Sequence, residues 1–507
     1  MKVAELVKDI EYTLLQGSLD TEVLEVENDS RKVTEGVLFF CIAGSVRDGH
    51  DFASEVSNKG AGVLVVERPV DVPETVTVIQ VPSSRYAMGM MSSVFYGEPS
   101  KKLKVIGITG TKGKTTTTYM IQSMLNMTGH KSGLVGTIEI IDGKQTIPAA
   151  NTTPESIVLQ RHLRDMVANG LDSVVMEVSS QGLMLDRVAG VDFDYGIFSN
   201  LSEDHIGPNE HSSFEEYRMW KSKLFTLCKV GIFNRDDPSF EDILKGHTCE
   251  VVTYGIAENA EALKDTPADY CASNWKLHNE GGHLGIEYHL SGRAEGQMMI
   301  NIPGRFSIYN SLSAIAVANE MGVPMETIKE ALANVKVRGR VELIPISDAF
   351  TILIDYAHNA VSLESILETL REYNPGRLVS VFGCGGNRSK TRRFEMGEVS
   401  GRMADFTIIT SDNPRFEEPQ AIIDDIVTGI SKTDGKYITI IDRKEAFRYA
   451  IMHAQPGDVI VLAGKGHEDY QEIKGVKHHM DERELIREVL EEEDVSKICG
   501  YNNRYFA

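Results

Sequence analysis

The chain has 507 residues and a formal net charge of -22 at pH 7. That length exceeds what one hydrophobic core organises, so about two to four domains are expected. The acidity argues against nonspecific binding to nucleic acid or to an anionic membrane surface.

No apolar run is long enough to span a bilayer, and the start, Met1–Ile10, has no apolar signal core. The cytoplasm is the default location and a monomer the default state. Six cysteines lack any paired spacing, which argues against a zinc site or a disulfide framework. Cys384 reads as a small residue in a tight turn.

The first block, residues 1–98, mixes short strands and helices. It ends at Tyr96-Gly-Glu-Pro-Ser-Lys-Lys102, a polar, turn-rich joint. The second block, 99–336, opens on the most informative stretch of the chain. The apolar run Leu103–Ile108 leads into Gly110-Thr111-Lys112-Gly113-Lys114-Thr115-Thr116, and Tyr119-Met-Ile-Gln-Ser-Met-Leu continues at helical spacing. That is strand, Gly-rich loop, helix. Backbone N–H groups and a helix N-terminus then point at an anion. Lys114 adds a point charge for outer phosphates, and the Thr115 hydroxyl suits Mg²⁺. The usual pattern carries a further Gly where Ile108 stands. A chance Gly-rich turn is the bland alternative; the strand, the helix and the Lys-Thr pair speak against it. A nucleoside triphosphate, with ATP and Mg²⁺ as the expected pair, follows from these residues.

Strands at Ser173–Val178, Tyr195–Ser199 and Gly231–Asn234 alternate with helices, which reads as a mostly parallel α/β sheet. Glu177 closes a buried strand beside the phosphate loop, where a Mg²⁺ ligand is needed. His205 follows the next strand and suits a second metal; alone it reads as polar surface. Lys221 and Lys223 lie on an amphipathic helix over Phe214–Phe225 and would ordinarily be solvated. Residues 248–300 read as an antiparallel patch with an acidic loop at Ala257–Asp269.

The third block, 337–507, alternates strands (Phe350–Asp355, Leu378–Phe382, Asp405–Thr410, Tyr437–Ile441, Val459–Ala463) with helices. Asp355 suits a ribose hydroxyl and His358 a phosphate. Phe382-Gly-Cys-Gly-Gly-Asn-Arg388 is a second Gly-rich turn after a strand. Arg388, Lys390, Arg392 and Arg393 form a basic cluster in an acidic chain. Arg415 in Asp412-Asn413-Pro-Arg415 suits bidentate carboxylate binding. Glu468 in Gly464-Lys-Gly-His-Glu468 suits an ammonium. The tail from Glu491 is expected to be peripheral.

Together these motifs resemble the Mur ligase family, which builds the peptide stem of peptidoglycan. Gly110–Thr115, Asn151-Thr-Thr-Pro-Glu155, Glu177-Val-Ser-Ser180, Asn200–His205, Gly339-Arg340, Asp355-Tyr-Ala-His358 and Gly464–Glu468 occur in the family's order over nearly the whole chain. The resemblance implies three α/β domains: a central one with a phosphate-loop-type, mostly parallel sheet, a Rossmann-like C-terminal one, and an N-terminal one for the uridine-diphosphate end of the substrate. It implies an ADP-forming ligase that joins an amino acid to UDP-N-acetylmuramoyl-L-alanyl-D-glutamate. Ser30 would bind the uridine-diphosphate end. Thr152, Thr153, Ser179 and Arg187 would hold the muramoyl dipeptide. Lys221 would be carbamylated and help His205 hold a second Mg²⁺. Asn310 and Arg340 would contact ATP. Arg388, Asp412, Asn413, Arg415, Gly464 and Glu468 would grip meso-diaminopimelate, since lysine-adding members usually lack the Arg at position 415. The lysine-adding enzymes and a paralogue with another acceptor are the alternatives. The chain departs from the family pattern at Lys112, Gln181, Gly207-Pro-Asn209, Ser307 and Asn359-Ala-Val361.

Overall fold

The computed structural model describes residues 1–44, 47–204, 206–207, 210–257, 268–280 and 283–502. It divides into two compact units. One comprises Met1–Gly255 with Ser313–Thr327; the other comprises Ile256–Leu312 with Ile328–Ala507.

The first unit holds two sheets. Strands β1 (Thr13–Gln16), β2 (Glu25–Glu27), β3 (Val37–Phe40), β4 (Val63–Val66) and β5 (Thr77–Gln80) pair in the order β1-β5-β4-β3-β2. All pairs are parallel except the β1 edge. The runs Val-Leu-Phe-Phe and Val-Leu-Val-Val are buried along their whole length. Strand side chains alternate between faces, so Leu38, Phe40, Val63 and Val65 enter one core and Phe39, Leu64 and Val66 another.

The second sheet contains β6 (Lys104–Thr109), β7 (Ser132–Val135), β8 (Glu139–Ile141), β9 (Thr146–Pro148), β10 (Ser173–Glu177), β11 (Phe193–Phe198), β12 (Cys228–Asn234) and β13 (Glu250–Ile256). Their order is β13-β12-β11-β6-β10-β7-β8-β9. It is parallel from β13 to β7 and antiparallel only at β8 and β9. Register sets Glu177 beside Ile108 and Phe198 beside Thr109. The loops after β6, β10 and β11 therefore leave the sheet at one edge.

In the second unit, β14 (Tyr270–Glu280), β15 (His283–Gly292) and β16 (Gly296–Ile300) form an antiparallel meander. A further sheet pairs β17 (Glu342–Leu343), β18 (Thr351–Asp355), β19 (Leu378–Phe382), β20 (Phe406–Ile409), β21 (Tyr437–Thr439) and β22 (Val459–Ala463) in the order β17-β18-β22-β19-β20-β21. Only β17 runs antiparallel to its neighbour. A hairpin of β23 (Tyr470–Ile473) and β24 (Val476–His479) follows. Asp355 and Phe382 both lie opposite Ala463, so these loops also emerge together. Among the described residues no helix is long and apolar enough to cross a membrane.

Three expectations change. The stretch 248–300 is not antiparallel throughout. Glu250–Ile256 pairs parallel with β12, and the antiparallel ladder begins at Tyr270. Strand direction depends on the partner, which local composition does not encode. Most of the acidic loop, 258–267, lies outside the described residues. The Phe214–Phe225 helix is α-helical only to Ser222 and ends in a 3-10 turn, Lys223–Thr226.

Finally, the tail is not peripheral. Ile498 is 4% exposed and packs in the core with Phe350, Ile352 and Ile486. Ser347 Oγ donates to the Cys499 carbonyl at 2.6 Å, and Asn502 N to Ile346 O at 2.9 Å. A short apolar residue among charges and polars carries little periodic signal, yet here it fills a core. Ile498→Ala should therefore cost about 2–4 kcal/mol of stability, read as a lowered urea midpoint; a loss under about 0.5 kcal/mol, as at surface positions, would contradict this packing.

Candidate active site

In the first unit, β6 ends at Thr109 and the helix Lys114–Met127 begins five residues later. The loop between needs backbone that only Gly adopts readily: Gly110 has φ +149° and Gly113 φ +87°. A Cβ at Gly110 would overlap the Ser199 hydroxyl and press on the Asn200 backbone. The loop is cross-braced from β11. Thr111 N donates to Asn200 O at 2.9 Å, Lys112 N to Asn200 Oδ1 at 2.9 Å, and Ser199 Oγ to Lys112 O at 2.8 Å.

Two ammonium groups share one carbonyl of this loop. Lys114 Nζ and Lys221 Nζ each donate to Gly110 O at 2.8 Å, and Lys114 also reaches Thr111 O at 3.0 Å. Lys221 is buried, 1% exposed, with its Nζ 4.5 Å from the centre of the Tyr217 ring. Burial first, then the Lys114 charge, pulls its ammonium well below the ordinary lysine range. It is thus not the solvated helix charge that its amphipathic segment suggests. Tyr217 in turn lies 3.1 Å from Thr111 Oγ1. His211, fully buried, packs on Tyr217 and sits 2.8 Å from Ser180 Oγ through Nε2.

Glu177 is 1% exposed at the carboxyl end of β10. Its Oε1 accepts from Thr115 Oγ1 and from Thr137 N, both at 2.9 Å, and its Oε2 accepts from Thr137 Oγ1 at 3.0 Å. Thr152 Oγ1 lies 3.1 Å from Thr137 Oγ1. A carboxylate and a hydroxyl brought together at a phosphate-type loop are the oxygen donors that a hard cation takes, so the residues fit Mg²⁺. Among the described residues no three His, Cys, Asp or Glu side chains group as a metal site; the donor set here is mixed. His205 lies outside the described residues.

Beside this set, Thr153 Oγ1 donates to Glu177 O and accepts from Ser179 N, both at 3.0 Å. Ser179 caps the helix Ser180–Met184, on which Gln181 is half-buried. Arg187 donates to Thr153 O at 3.1 Å and pairs with Glu155 at 2.8 Å. Ser30 lies elsewhere in this unit, in a turn where Arg31 clamps Asp29 and Lys59 holds the Ser30 carbonyl at 2.9 Å. The Arg31 hydrogen bonds hold the Asp29 carboxyl down at about 2.

In the second unit, Asp355 ends β18 with both oxygens used, by Val341 N and by Ala357 N at 2.9 Å each. Arg340 stacks over Tyr356 at 5.0 Å, and Tyr356 packs on His358 and His467. His358 turns Nδ1 to the Tyr356 carbonyl, 2.9 Å away. Asn310, buried, is on the helix Phe306–Glu320.

The loops after β19, β20 and β22 converge, as expected where ligands sit beyond the carboxyl ends of parallel strands. Gly386 N donates to Asn413 O at 2.8 Å. Arg415 takes φ +53°, donates through Nε to Glu472 Oε2 at 3.0 Å and through Nη1 to Gly386 O at 2.8 Å. Asn413 Nδ2 donates to Glu468 Oε2 at 3.0 Å. A Cβ on Gly464, which has φ +111°, would press on Asp412 Oδ2 at 2.9 Å. Arg388 is exposed.

The basic cluster does not act as one group. Arg393 is buried and paired with Glu417 and Asp425 at 2.7 and 2.9 Å, because a guanidinium inside a fold requires carboxylates. Lys390 also leans on Asp425, at 3.4 Å. Cys384 is buried beside Met396, and burial pushes its thiol up to about 12.

Sequence reasoning passed over Lys465, which is fully buried between Asn413 and Glu468, and Arg443, which is paired in the core with Glu482. Lys465 stands inside a motif already singled out, so its position was the available signal. Arg443 opens a helix far from any motif and gave none.

The fold and the loop geometry define a phosphate-loop α/β protein with a second parallel α/β sheet. Three family models match, described as the Mur ligase family catalytic domain over 22–96, the Mur ligase middle domain over 108–318 and the Mur ligase glutamate ligase domain over 339–466. The UDP-N-acetylmuramoyl-L-alanyl-D-glutamate--2,6-diaminopimelate ligase 1 of Clostridium acetobutylicum is 44% identical, over 97% of this chain and 100% of that protein. The corresponding ligase of Clostridium botulinum is 42% identical, over 97% and 100%. A solved structure of a ligase of that name superposes with a TM-score of 0.71 at 28% identity, covering 97% of this chain and 99% of the other. The chain belongs to the Mur ligase family and has its three-domain α/β architecture.

A half-buried imidazole beside three arginines gives one pH signature. Burial first, then Arg340, Arg338 and Arg483, lowers the His467 pKa to about 4. The unfolded chain binds this proton near pH 6.5. The resulting stabilisation is complete above that pH and is lost as pH falls from about 6.5 toward 4. It is worth about 3 kcal/mol. His467→Gln should flatten the urea midpoint over that window; an unchanged slope would contradict this environment.

Proposed function

We propose that this chain is an ATP-dependent, ADP-forming ligase that adds meso-2,6-diaminopimelate to UDP-N-acetylmuramoyl-L-alanyl-D-glutamate in peptidoglycan precursor synthesis, in the cytoplasm and as a monomer. The observation that carries the acceptor is Arg415 at the meeting of the loops after β19, β20 and β22, supported by relatives of that name at 40–44% identity. Residues 1–98 take the uridine-diphosphate end, through Ser30. Residues 99–336 hold the triphosphate. Residues 337–507 hold the amino acid.

A carboxylate is a poor acylating agent, so ATP activates it. The γ-carboxylate of the D-glutamyl residue attacks the γ-phosphorus and gives an acyl phosphate and ADP. The acceptor amine then attacks the acyl carbon, and phosphate leaves. Lys114 and the loop N–H groups of Gly110–Thr116 lie against the transferring charge. Asn310, Arg340, Asp355 and His358 hold the nucleotide. Thr152, Thr153, Ser179 and Arg187 align the dipeptide. Thr115 and Glu177 would hold one Mg²⁺, and His205 with a carbamylated Lys221 a second; bound metal would neutralise phosphate charge.

Lys221 supports the carbamylation. Its buried amine is shifted toward the neutral, nucleophilic form, and a lysine must be converted to an anion before it can serve a hard cation. Lys221→Ala should lower kcat by at least about a hundredfold, with part of the rate restored by short carboxylic acids in the buffer; an active parent enzyme with a bare amine by mass analysis would refute this role.

Diaminopimelate and lysine differ by one carboxylate. Burying it without a partner costs several kcal/mol, and a guanidinium supplies a matching fork. Phosphate release from ATP with each amino acid tests the acceptor. Diaminopimelate should exceed lysine strongly in kcat/KM, and Arg415→Ala should raise the diaminopimelate KM far more than the ATP KM. Equal kcat/KM for both acceptors would overturn this reading and favour a lysine-adding member.

A further inference from the structure

The ammonium of Lys465 is fully buried at the carboxyl end of β22. A lysine ammonium has three N–H donors, and three acceptors stand around this one. They are Asn413 Oδ1 at 3.0 Å, Glu468 Oε2 at 2.8 Å and the Tyr470 carbonyl. Asp412 Oδ1 lies 3.9 Å away, and the Tyr470 ring covers the group at 4.9 Å. With its donors committed to protein, Lys465 is not placed to contact a ligand. Its partners are the residues that the proposed reading assigns to the acceptor.

We infer that Lys465 is a positioning residue for the acceptor amino acid: its buried ammonium ties the Asp412–Arg415 loop to Glu468 and fixes both in ligand-receiving geometry. This inference rests on the acceptor-site reading above.

The ties determine orientation. Asn413 Oδ1 accepts from Lys465 and also from Glu472 N at 2.8 Å, while its Nδ2 donates to Glu468 Oε2. The amide can satisfy all three only one way round. Glu472 is the residue that holds Arg415 Nε, so one ammonium is linked through Asn413 to the strand that carries the Arg415 clamp. Both bonds on Glu468 fall on Oε2, which leaves Oε1 for the ammonium of a ligand.

Charge gives a second reason. Asp412 and Glu468 side by side would carry two negative charges. The Lys465 ammonium reduces them to one, which matches the single ammonium at the far end of diaminopimelate. Without it the two loops would repel each other across a low-dielectric site.

The test uses the full chain. Lys465→Gln keeps a donor but removes the charge, and Lys465→Met removes both. Each is assayed by phosphate release with diaminopimelate, ATP and the uridine-linked dipeptide varied in turn. Lys465→Gln should raise the diaminopimelate KM at least tenfold, with the ATP and dipeptide KM values within twofold of the parent. Lys465→Met should raise it further; if that variant does not fold, Lys465→Gln decides. An unchanged diaminopimelate KM in Lys465→Gln, or a fall in kcat alone as the folded fraction drops, overturns the positioning role and leaves the acceptor reading intact. A parent enzyme that does not turn over diaminopimelate overturns the acceptor reading, and this inference with it.

Discussion

The first unit depends on a buried carboxylate and a buried amine brought to one Gly-rich loop. A carboxyl group at 1% exposure needs hydrogen-bond donors, and Glu177 has Thr115 on one side and Thr137 on the other. Lys221 has the Gly110 carbonyl and the face of Tyr217. Each group therefore orders a neighbouring segment. Glu177 fixes the first turn of the helix after the loop, and Lys221 fixes the loop's first carbonyl. The parallel register that sets Glu177 beside Ile108 is what makes the Thr115 contact reachable.

The second unit solves a similar problem with close backbone approach. A Cβ at Gly386 would overlap the Pro414 carbonyl, and one at Gly339 would overlap Gly466 and His467. Nothing larger than glycine fits at these crossings. They bring loops from different strands near enough for single side chains to bridge them. Arg443 does so from below: its guanidinium pairs with buried Glu482 and donates to the Ser411 and Ala463 carbonyls at 3.0 Å each. Those two residues open the loops that carry Asp412 and Gly464. Removing one partner of such a pair typically costs about 3–5 kcal/mol, so a pair distant from any motif still helps to fix the loops that carry Asp412 and Gly464.

The chemistry-bearing loops were legible in the sequence because each combines an apolar strand with glycine and a polar residue at its end. Leu103–Ile108 into Gly110 and Val459–Ala463 into Gly464 are the plainest cases. Relations that need three dimensions were not legible. The helix pattern around Lys221 is amphipathic, and only packing against Tyr217 and Gly110 shows its amine to be buried. Arg388–Arg393 look like one patch, yet Arg388 is exposed in the loop before the helix Lys390–Met403, while Arg393 on that helix turns inward to Glu417 and Asp425. The direction of Glu250–Ile256 was hidden because parallel and antiparallel strands can share one composition.

Arg415 is the group that the proposed acceptor reading sets against a carboxylate, and its surroundings hold it in place. A guanidinium has five N–H donors in a planar fork. Here Glu472 takes Nε and Gly386 O takes Nη1, while the backbone is held in the left-handed region by Lys474 N on its carbonyl and Glu472 O on its N–H. A non-glycine residue pays for that φ, and the surrounding bonds maintain it. The effect is to immobilise a side chain that otherwise loses considerable rotamer entropy on binding. On the proposed reading, a carboxylate would meet a guanidinium already held in place. A substrate that lacks the carboxylate would gain nothing from that preparation, so on this reading discrimination would follow from the rigidity of the clamp as well as from its charge.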